Sequence, residues 1–142
     1  MRNVSHILER KGSRVVSLAR EQPVLEAVRL MAEHHTGAVL VMQGDNLVGI
    51  ASERDYARKV VLQGRSSSDT PVSAIMSAPV VCVTPADSVS DCMSIMTERH
   101  IRHLPVMDGR SVIGVISIGD LVKELIEEQK QEISYLQQYI AS

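Results

Sequence analysis

Apolar and polar positions follow one another along the chain in an order that predicts the same set of elements twice. In the first half, Val15-Val16 predicts a short strand, and apolar side chains three and four apart over residues 24–35 predict an amphipathic helix. Two more strands are expected over residues 38–42 and 47–52, separated by a Gly-Asp-Asn turn, and a second helix begins near Glu53. The first half therefore has the order β-α-β-β-α.

The second half repeats this order at a fixed distance of 65 residues. Strands are predicted over residues 80–83, 104–107 and 112–117, with a helix over residues 89–96 and a closing helix from about Ile118. When the chain is shifted by 65 positions, 12 of the 41 residues from 15 to 55 are identical, and several other pairs, such as Leu47 with Val112, exchange one aliphatic residue for another. The chain therefore contains an internal duplication.

Short segments before and between the copies complete the predicted organisation. Residues 4–8 and 72–76 resemble each other and predict two short lead-in helices, with an offset of 68 rather than 65. Residues 64–69 are polar and rich in serine, as linkers are. The expected segments are a first motif with its lead-in over residues 1–64, a linker over 65–71, a second motif over 72–127 and a C-terminal helix extension over 128–142.

The second closing helix continues beyond the repeat, because nothing between residues 121 and 140 interrupts a helix. Its seam positions step alternately by four and three residues, which is the spacing of a coiled coil: Val122, Ile126, Gln129, Ile133, Leu136 and Ile140. Two interpretations remain open. The helix either binds a partner or a second copy of the chain, or it folds back onto its own domain.

Composition and charge narrow the classes of function. The 142-residue chain has a net charge of −2, a pI of about 6.2, no Phe or Trp and three Tyr. It offers neither a general basic field nor a base-stacking surface, so we expect no nucleic-acid partner. No apolar run approaches the roughly 18 residues of a membrane span, and no export signal is evident. We therefore expect no membrane partner and a cytoplasmic location, with Cys82 and Cys92 as inert thiols.

Each copy ends on the same motif, which is Gly, two apolar residues, Ser, two variable residues and Asp. It runs from Gly49 to Asp55 in the first copy and from Gly114 to Asp120 in the second. At a strand-to-helix junction, Ser-x-x-Asp is a capping box that satisfies free N–H groups of the helix. The same groups suit a sugar phosphate, because a carboxylate accepts bonds from a ribose diol, helix N–H groups hold phosphate, and glycine lets the backbone approach a ligand. Spacing alone leaves both uses open.

The duplicated unit with this motif resembles the CBS domain, the family named after cystathionine β-synthase. Val72-x-x-Ile75-Met76, Val81-x-Val83-x-Pro85 and Arg102-His103-Leu104-Pro105-Val106 are also typical of it. The resemblance covers about residues 4–126 in two tandem copies, which form one Bateman module and leave nothing for a catalytic domain. It implies an α+β fold, with two tandem β-α-β-β-α CBS motifs packed about a pseudo-twofold axis and an extended C-terminal helix, as in small stand-alone bacterial CBS-domain proteins.

The resemblance also implies a function. CBS pairs bind ligands in two related clefts and act as regulatory, signal-transducing modules rather than as enzymes, so no catalytic residue and no catalytic cofactor are expected. The expected ligand is an adenine nucleotide (AMP, ADP or ATP), whose binding changes the conformation or the partner contacts of the module. Other family members bind NAD, S-adenosylmethionine or Mg²⁺. NAD(H) and S-adenosylmethionine remain alternatives here, as does a ligand-free module for interaction and dimerisation. The expected protein partners are a second copy, through CBS faces or the C-terminal helix, and an unidentified client.

By resemblance, each cleft centres on one motif aspartate. In the first cleft, Asp120 takes the ribose beside Ser117. The residues expected to line the adenine there are Val16, Thr36, Gly37, Ala38 and Val115, and those expected near the phosphate are Arg102, His103 and Lys11. The second cleft is expected to comprise Ser52, Asp55, Arg54, Ile50, Val81 and Ile101.

The sequence gives weaker indications of other chemistry. His34-His35 and His100-x-x-His103 lack the cysteine or carboxylate partners of a zinc site, so no metal is expected. No Gly-x-Ser-x-Gly elbow is present for a hydrolase triad. Arg54, Arg58 and Lys59 are interpreted as a solvated helix face rather than as a nucleic-acid surface.

Overall fold

Five α-helices and five strands follow one another in the described residues, 2–141, of the computed structural model. The first copy contains α1 (Val4–Lys11), β1 (Ser17–Ala19), α2 (Val24–His34), β2 (Ala38–Gln43), β3 (Asn46–Ser52) and α3 (Glu53–Tyr56), which continues as a π-helix over Ala57–Val61. A 3-10 turn over Val72–Ala74 leads into the second copy, which contains α4 (Val89–Arg99), β4 (His103–Asp108), β5 (Ser111–Ser117) and α5 (Ile118–Ala141). The α+β class predicted from the sequence is confirmed. Residue 1, which begins the first predicted segment, and residue 142, which ends the last, lie outside the described residues.

The first strand of each copy differs from the prediction. In the first copy it occupies Ser17–Ala19, beside Val15-Val16, and pairs in parallel with β2, which pairs antiparallel with β3. In the second copy the predicted strand over residues 80–83 is reduced to one parallel bridge between Val83 and Val106, and the sheet consists of β4 and β5. Proline accounts for this difference. Pro105 has no N–H at the position where Leu40 donates to the Val16 carbonyl at 2.9 Å in the first copy.

Packing divides the chain differently from the repeat. One compact unit contains residues up to 13, 82–108 and from 114 onward, and the other contains residues 14–81 and 109–113. Each unit is described here by itself. The lead-in of the first copy, α1, therefore belongs to the unit that holds most of the second copy, while residues 72–76 belong to the unit that holds the first. The prediction of two similar lead-in helices was wrong in one respect, because the second forms only a 3-10 turn before Ser77 joins Ile50 in an extended bridge.

The motif glycines receive side chains from these lead-ins. A Cβ atom built on Gly114 would lie 2.7 Å from Cδ2 of Leu8 on α1. The same construction on Gly49 would collide with the side chain of Met76. Leu8 and Met76 occupy equivalent positions of the two lead-ins. The sequence suggested that these glycines make room for a ligand, whereas the structure fills the space with an apolar side chain.

Apolar side chains from every layer form the interior of each unit. The core of the unit over residues 14–81 combines β1, α2, β2 and β3 with the second lead-in, and it includes Leu18, Val24, Ala27, Met31, Val39, Val41, Ala51, Val60, Val72 and Ile75. In the other unit the buried residues include Val4, Ile7, Val89, Cys92, Met96, Leu104, Val106, Ile116 and Leu121. These cores fix the strand ends on which the motif serines and aspartates lie.

The long closing helix predicted over residues 121–140 is confirmed as part of α5. Leu121 and Glu124 on one side of α5 are buried, and every described side chain from residue 129 onward is exposed. The described residues contain no helix that is both long enough and apolar enough to cross a membrane.

Candidate functional site

The motif serine and aspartate cap the following helix in both copies. At the start of α3, the Ser52 N–H donates to Oδ2 of Asp55 at 2.9 Å, and the Asp55 N–H donates to the Ser52 hydroxyl oxygen at 3.1 Å. At the start of α5, the equivalent bonds of Ser117 and Asp120 measure 2.8 and 3.2 Å. The capping interpretation is therefore confirmed. Capping leaves carboxylate lone pairs for further partners, since a carboxylate accepts about four hydrogen bonds.

A lysine is the further partner of Asp120. Lys11, the last residue of α1, donates from Nζ to Oδ2 of Asp120 at 2.7 Å and to the Val115 carbonyl oxygen at 2.8 Å. The ammonium group therefore binds two of the groups that the sequence assigns to ribose and adenine. Its side chain is 41% exposed, so solvent and solutes reach this pair.

The surroundings of Asp120 set the charges of the cluster. Burial raises the pKa of Asp120, but hydrogen bonds from Lys11 and Ser117 and the charge of Lys11 outweigh it, and the pKa falls below its usual value. Burial lowers the pKa of His103, and the charges of Lys11 and Arg102 lower it further against the opposing effect of Asp120. At neutral pH the cluster therefore holds an anionic carboxylate, a neutral imidazole and two cations.

The other aspartate also has a lysine partner, but from its own helix segment. Lys59 lies four residues after Asp55, and its Nζ is 3.2 Å from Oδ1 of Asp55 and donates to the Ile75 carbonyl oxygen at 2.9 Å. The sequence interpretation of Lys59 as a merely solvated residue missed this pair. Both motif aspartates are thus paired with an ammonium group that is also bonded to a backbone carbonyl.

In the second copy, a glutamate occupies the position equivalent to Lys59. Glu124 is 1% exposed, and its Oε2 accepts bonds from Arg10 at 2.9 Å and from Arg2 at 3.2 Å. The charge at this position is therefore reversed, and both partners come from the N-terminal segment. Sequence reasoning missed this cluster, although the alignment of Lys59 with Glu124 was visible in the repeat.

Comparison with known proteins identifies the fold that carries these clusters. The family profile described as "CBS domain" matches residues 4–62 and again residues 72–127. The chain belongs to the CBS-domain family. The recognition made from the motifs is thereby confirmed.

Known CBS proteins resemble this chain over most of its length. The mitochondrial CBS domain-containing protein CBSX3 of Arabidopsis thaliana is 37% identical, over 96% of this chain and 71% of its own length. A solved protein with CBS domains from Burkholderia ambifaria, described as a candidate signal-transduction protein, is 50% identical with a TM-score of 0.86, over 89% of this chain and 96% of its own. The hexameric CBS-CP12 protein of bloom-forming cyanobacteria is 28% identical with a TM-score of 0.76, over 86% of this chain and 70% of its own.

The predicted site residues of the two CBS motifs are divided between the two units. One unit holds Lys11, Ile101, Arg102, His103, Val115, Ser117 and Asp120, and the other holds Val16, Thr36, Gly37, Ala38, Ile50, Ser52, Arg54, Asp55 and Val81. Within the first unit, Lys11, Val115, Ser117 and Asp120 are joined by hydrogen bonds. Within the second, Ser52 and Asp55 are joined in the same way. The two complete residue sets remain predictions.

Backbone bonds hold the edges of both CBS motifs in equivalent ways. The Glu53 N–H donates to the Gly37 carbonyl at 3.0 Å, and the Ile118 N–H donates to the Arg102 carbonyl at 2.9 Å. Each bond ties the start of the closing helix to the residue before the second strand. The Ile50 N–H and carbonyl are both bonded to Ser77, so the Ile50 backbone is occupied within its own unit.

The other sequence candidates have structural explanations. His35 and His100 end α2 and α4 in the left-handed conformation, with φ of 51° and 55°. No group of three metal-ligating side chains occurs among residues 2–141. Burial raises the pKa of the Cys82 thiol, and burial with the charges of Asp87 and Asp91 raises that of Cys92 to about 11. Both thiols are therefore protonated at neutral pH, the unreactive form.

Proposed function

We propose that this CBS protein is a non-catalytic regulatory module that binds an adenine nucleotide (AMP, ADP or ATP) at the Asp120 cluster and changes its partner contacts in response. The observation that carries the proposal is the Asp120 cluster of Lys11, Arg102, His103, Ser117 and Asp120, in which an ionised carboxylate at the first turn of α5 is paired with Lys11, and Arg102 acts on the neighbouring His103. A ribose diol donates to the carboxylate, and Lys11 and Arg102 supply positive charge for phosphate.

The Asp55 cluster is proposed as a second, unequal ribose site. It has the same serine, aspartate and lysine. Gly37 and Ala38 stand where the second copy has Arg102 and His103, so the first copy lacks that basic pair. We therefore expect the Asp120 cluster to bind phosphorylated ligands more tightly than the Asp55 cluster.

In this proposal, the contact between Lys11 and Asp120 links nucleotide binding to a change of partner contacts. Lys11 ends α1 and Asp120 begins α5, so the ion pair joins these two helices. A nucleotide that binds Asp120 must displace Lys11 or share the carboxylate with it. A ligand shifts the population of conformations only by its differential affinity for them. The nucleotide is expected to bind conformations with and without the contact between Lys11 and Asp120 with different affinities.

Thermal unfolding against a ligand panel tests the proposal. The panel comprises AMP, ADP, ATP, NAD(H), S-adenosylmethionine and GMP, each with and without Mg²⁺, on protein freed of bound nucleotide. At 100 times its dissociation constant, a ligand stabilises the fold by about 2.7 kcal/mol. We expect an upward Tm shift of several degrees with at least one adenine nucleotide and none with GMP. The absence of any shift would contradict the proposal.

Two variants separate binding from capping. Asp120→Ala removes the cap as well as the carboxylate, and the lost cap costs about 0.5–2 kcal/mol without any ligand. Asp120→Asn keeps an oxygen for the cap but loses the charge that the ribose and Lys11 use. We expect Asp120→Asn to fold normally and to lose most of the nucleotide shift. If it keeps the full shift, Asp120 is not the ribose acceptor.

Lys11→Met distinguishes the two roles of the lysine. Without Lys11, adenosine no longer competes with a partly exposed ion pair, and its affinity should rise about fivefold. AMP loses a charge-assisted phosphate contact, and its affinity should fall about tenfold or more. Isothermal titration of both ligands measures the ratio, with Arg65→Met in the exposed linker as control. Equal changes for adenosine and AMP would contradict a phosphate role.

Self-association and a ligand-free role complete the proposal. The cyanobacterial CBS-CP12 neighbour is hexameric, which supports self-association of this chain as well.

The complete capping bonds of both motifs favour a second candidate, a ligand-free interaction module, if the panel gives no shift. The cytoplasmic location predicted from the sequence stays a prediction.

A further inference from the structure

One face of α5 is apolar and left uncovered by its own unit. The buried residues of α5, Leu121 and Glu124, lie on a different side of the helix from this face. The exposed fractions of its apolar seam residues are 41% for Val122, 47% for Ile126, 55% for Ile133, 59% for Leu136 and 82% for Ile140. An exposed apolar stripe of this kind, interrupted only by Gln129, marks an interaction surface.

We propose that residues 122–140 of α5 pair with the same residues of a second copy of this chain in a parallel two-stranded coiled coil. The proposal is independent of nucleotide binding. Ile126, Ile133 and Ile140 fall on heptad position a, and Val122, Gln129 and Leu136 fall on position d. Isoleucine at every a position, with leucine at one of the three d positions, favours a two-stranded assembly.

The charges beside the seam favour the parallel over the antiparallel direction. In a parallel pair, Glu132 at position g lies beside Gln137 at position e of the other helix. Lys130 at position e then lies beside Leu125 at position g of the other helix. The aliphatic stem of Lys130 covers the Leu125 side chain. An antiparallel pair centred on this segment sets Lys130 against Lys130 and Glu132 against Glu132. Like charges in that position are destabilising.

Gln129, the polar residue within the seam, gives a second reason for the parallel register. In register, the two Gln129 amides face each other and exchange hydrogen bonds. In the centred antiparallel pair, Gln129 faces Ile133 and its amide has no polar partner, which is costly in an apolar seam. A single polar seam position is known to specify register and oligomeric state.

The short length of the seam is offset by its attachment. It spans fewer than three heptads, and free helices of about 12–15 residues are marginal in water. Here the buried Leu121 and Glu124 anchor α5 to its unit, so part of the helix is ordered before association. Pre-ordering lowers the entropy cost of pairing.

Disulfide cross-linking in the full chain tests the direction. Leu136→Cys places two sulfurs at one level of a parallel seam, and mild oxidation should give a linked dimer in high yield. Gln138→Cys, on the outer f position, is the matched control, and the unmodified chain controls for Cys82 and Cys92. Preferential linkage between Val122→Cys and Ile140→Cys chains, or no linkage above the control, would overturn the proposal.

Sedimentation tests whether the seam holds the dimer. Leu136→Asp should raise the dimer dissociation constant by about 100-fold or more, because it buries a charge at the interface. Gln138→Asp should change it by less than about threefold. Unchanged thermal unfolding of the monomeric variant shows that the units remain folded. A wild-type monomer, or a Leu136→Asp dimer as tight as wild type, would overturn the proposal.

Discussion

Replacing both Arg2 and Arg10 by methionine should lower the free energy of unfolding by about 3 kcal/mol. Glu124 is almost fully buried, and these two guanidinium groups are its salt-bridge partners among the described residues. Removal of both leaves a carboxylate in the interior without its compensating charge, whereas each single variant keeps one partner. Chemical denaturation measures the loss, which corresponds to a Tm lower by about 10 °C for a chain of this size.

A triple variant identifies the cause of that loss. Arg2→Met, Arg10→Met and Glu124→Met together replace the ionic cluster by apolar side chains of similar length, and buried ion pairs can often be replaced in this way at little cost. We expect the triple variant to be more stable than the double variant by about 2 kcal/mol or more. If the triple variant is as unstable as the double, the destabilisation comes from lost packing rather than from the unpaired Glu124.

Gly114→Val should destabilise the protein by about 2 kcal/mol, in the middle of the range for overpacking. A Cβ at this position lies 2.7 Å from Cδ2 of Leu8, well inside the 3.5–4.0 Å at which carbon atoms pack. Valine is otherwise favourable in a strand such as β5, so the penalty is steric and not conformational. The free energy of unfolding in denaturant measures it.

The Leu8 side chain provides the test of this explanation. Leu8→Ala opens space above residue 114, so Gly114→Val should cost at least 1 kcal/mol less in that background than in the wild type. Gly49→Val is the matched substitution in the other copy and should cost at least as much, because the added Cβ meets Sδ, Cγ and Cβ of Met76, whereas at Gly114 it meets closely only the end of the Leu8 side chain. Additive effects of Leu8→Ala and Gly114→Val would contradict direct contact.

The elements and caps could be predicted because they depend on residues near one another in sequence. Helical spacing gave α2 and α4, and Ser-x-x-Asp gave the caps of α3 and α5. The shortened first strand of the second copy depends on Pro105, some twenty residues further along the chain, so alignment with the first copy hid the difference.

The partners of the motif residues could not be predicted, because they come from distant segments. Lys11 meets Asp120 across 109 positions, and Arg10 meets Glu124 across 114. Periodicity shows which face of α1 is apolar but not which copy it joins. The equal spacing of the motif glycines in the repeat was visible, yet the side chain above each glycine depends on which lead-in packs there.

The exchange of lead-ins makes the two motifs inseparable. A break in the linker over residues 65–71 gives two fragments, and neither contains a complete unit. The first fragment contains Leu8 and Gly49 but lacks Gly114 and Met76. The second fragment contains Gly114 and Met76 but lacks Leu8 and Gly49. In each fragment, one lead-in side chain has lost the glycine against which it packs, and the other glycine has lost the side chain that covers it. A gene rearrangement can therefore gain, lose or transfer the two CBS motifs together as a folded unit, but not one motif alone.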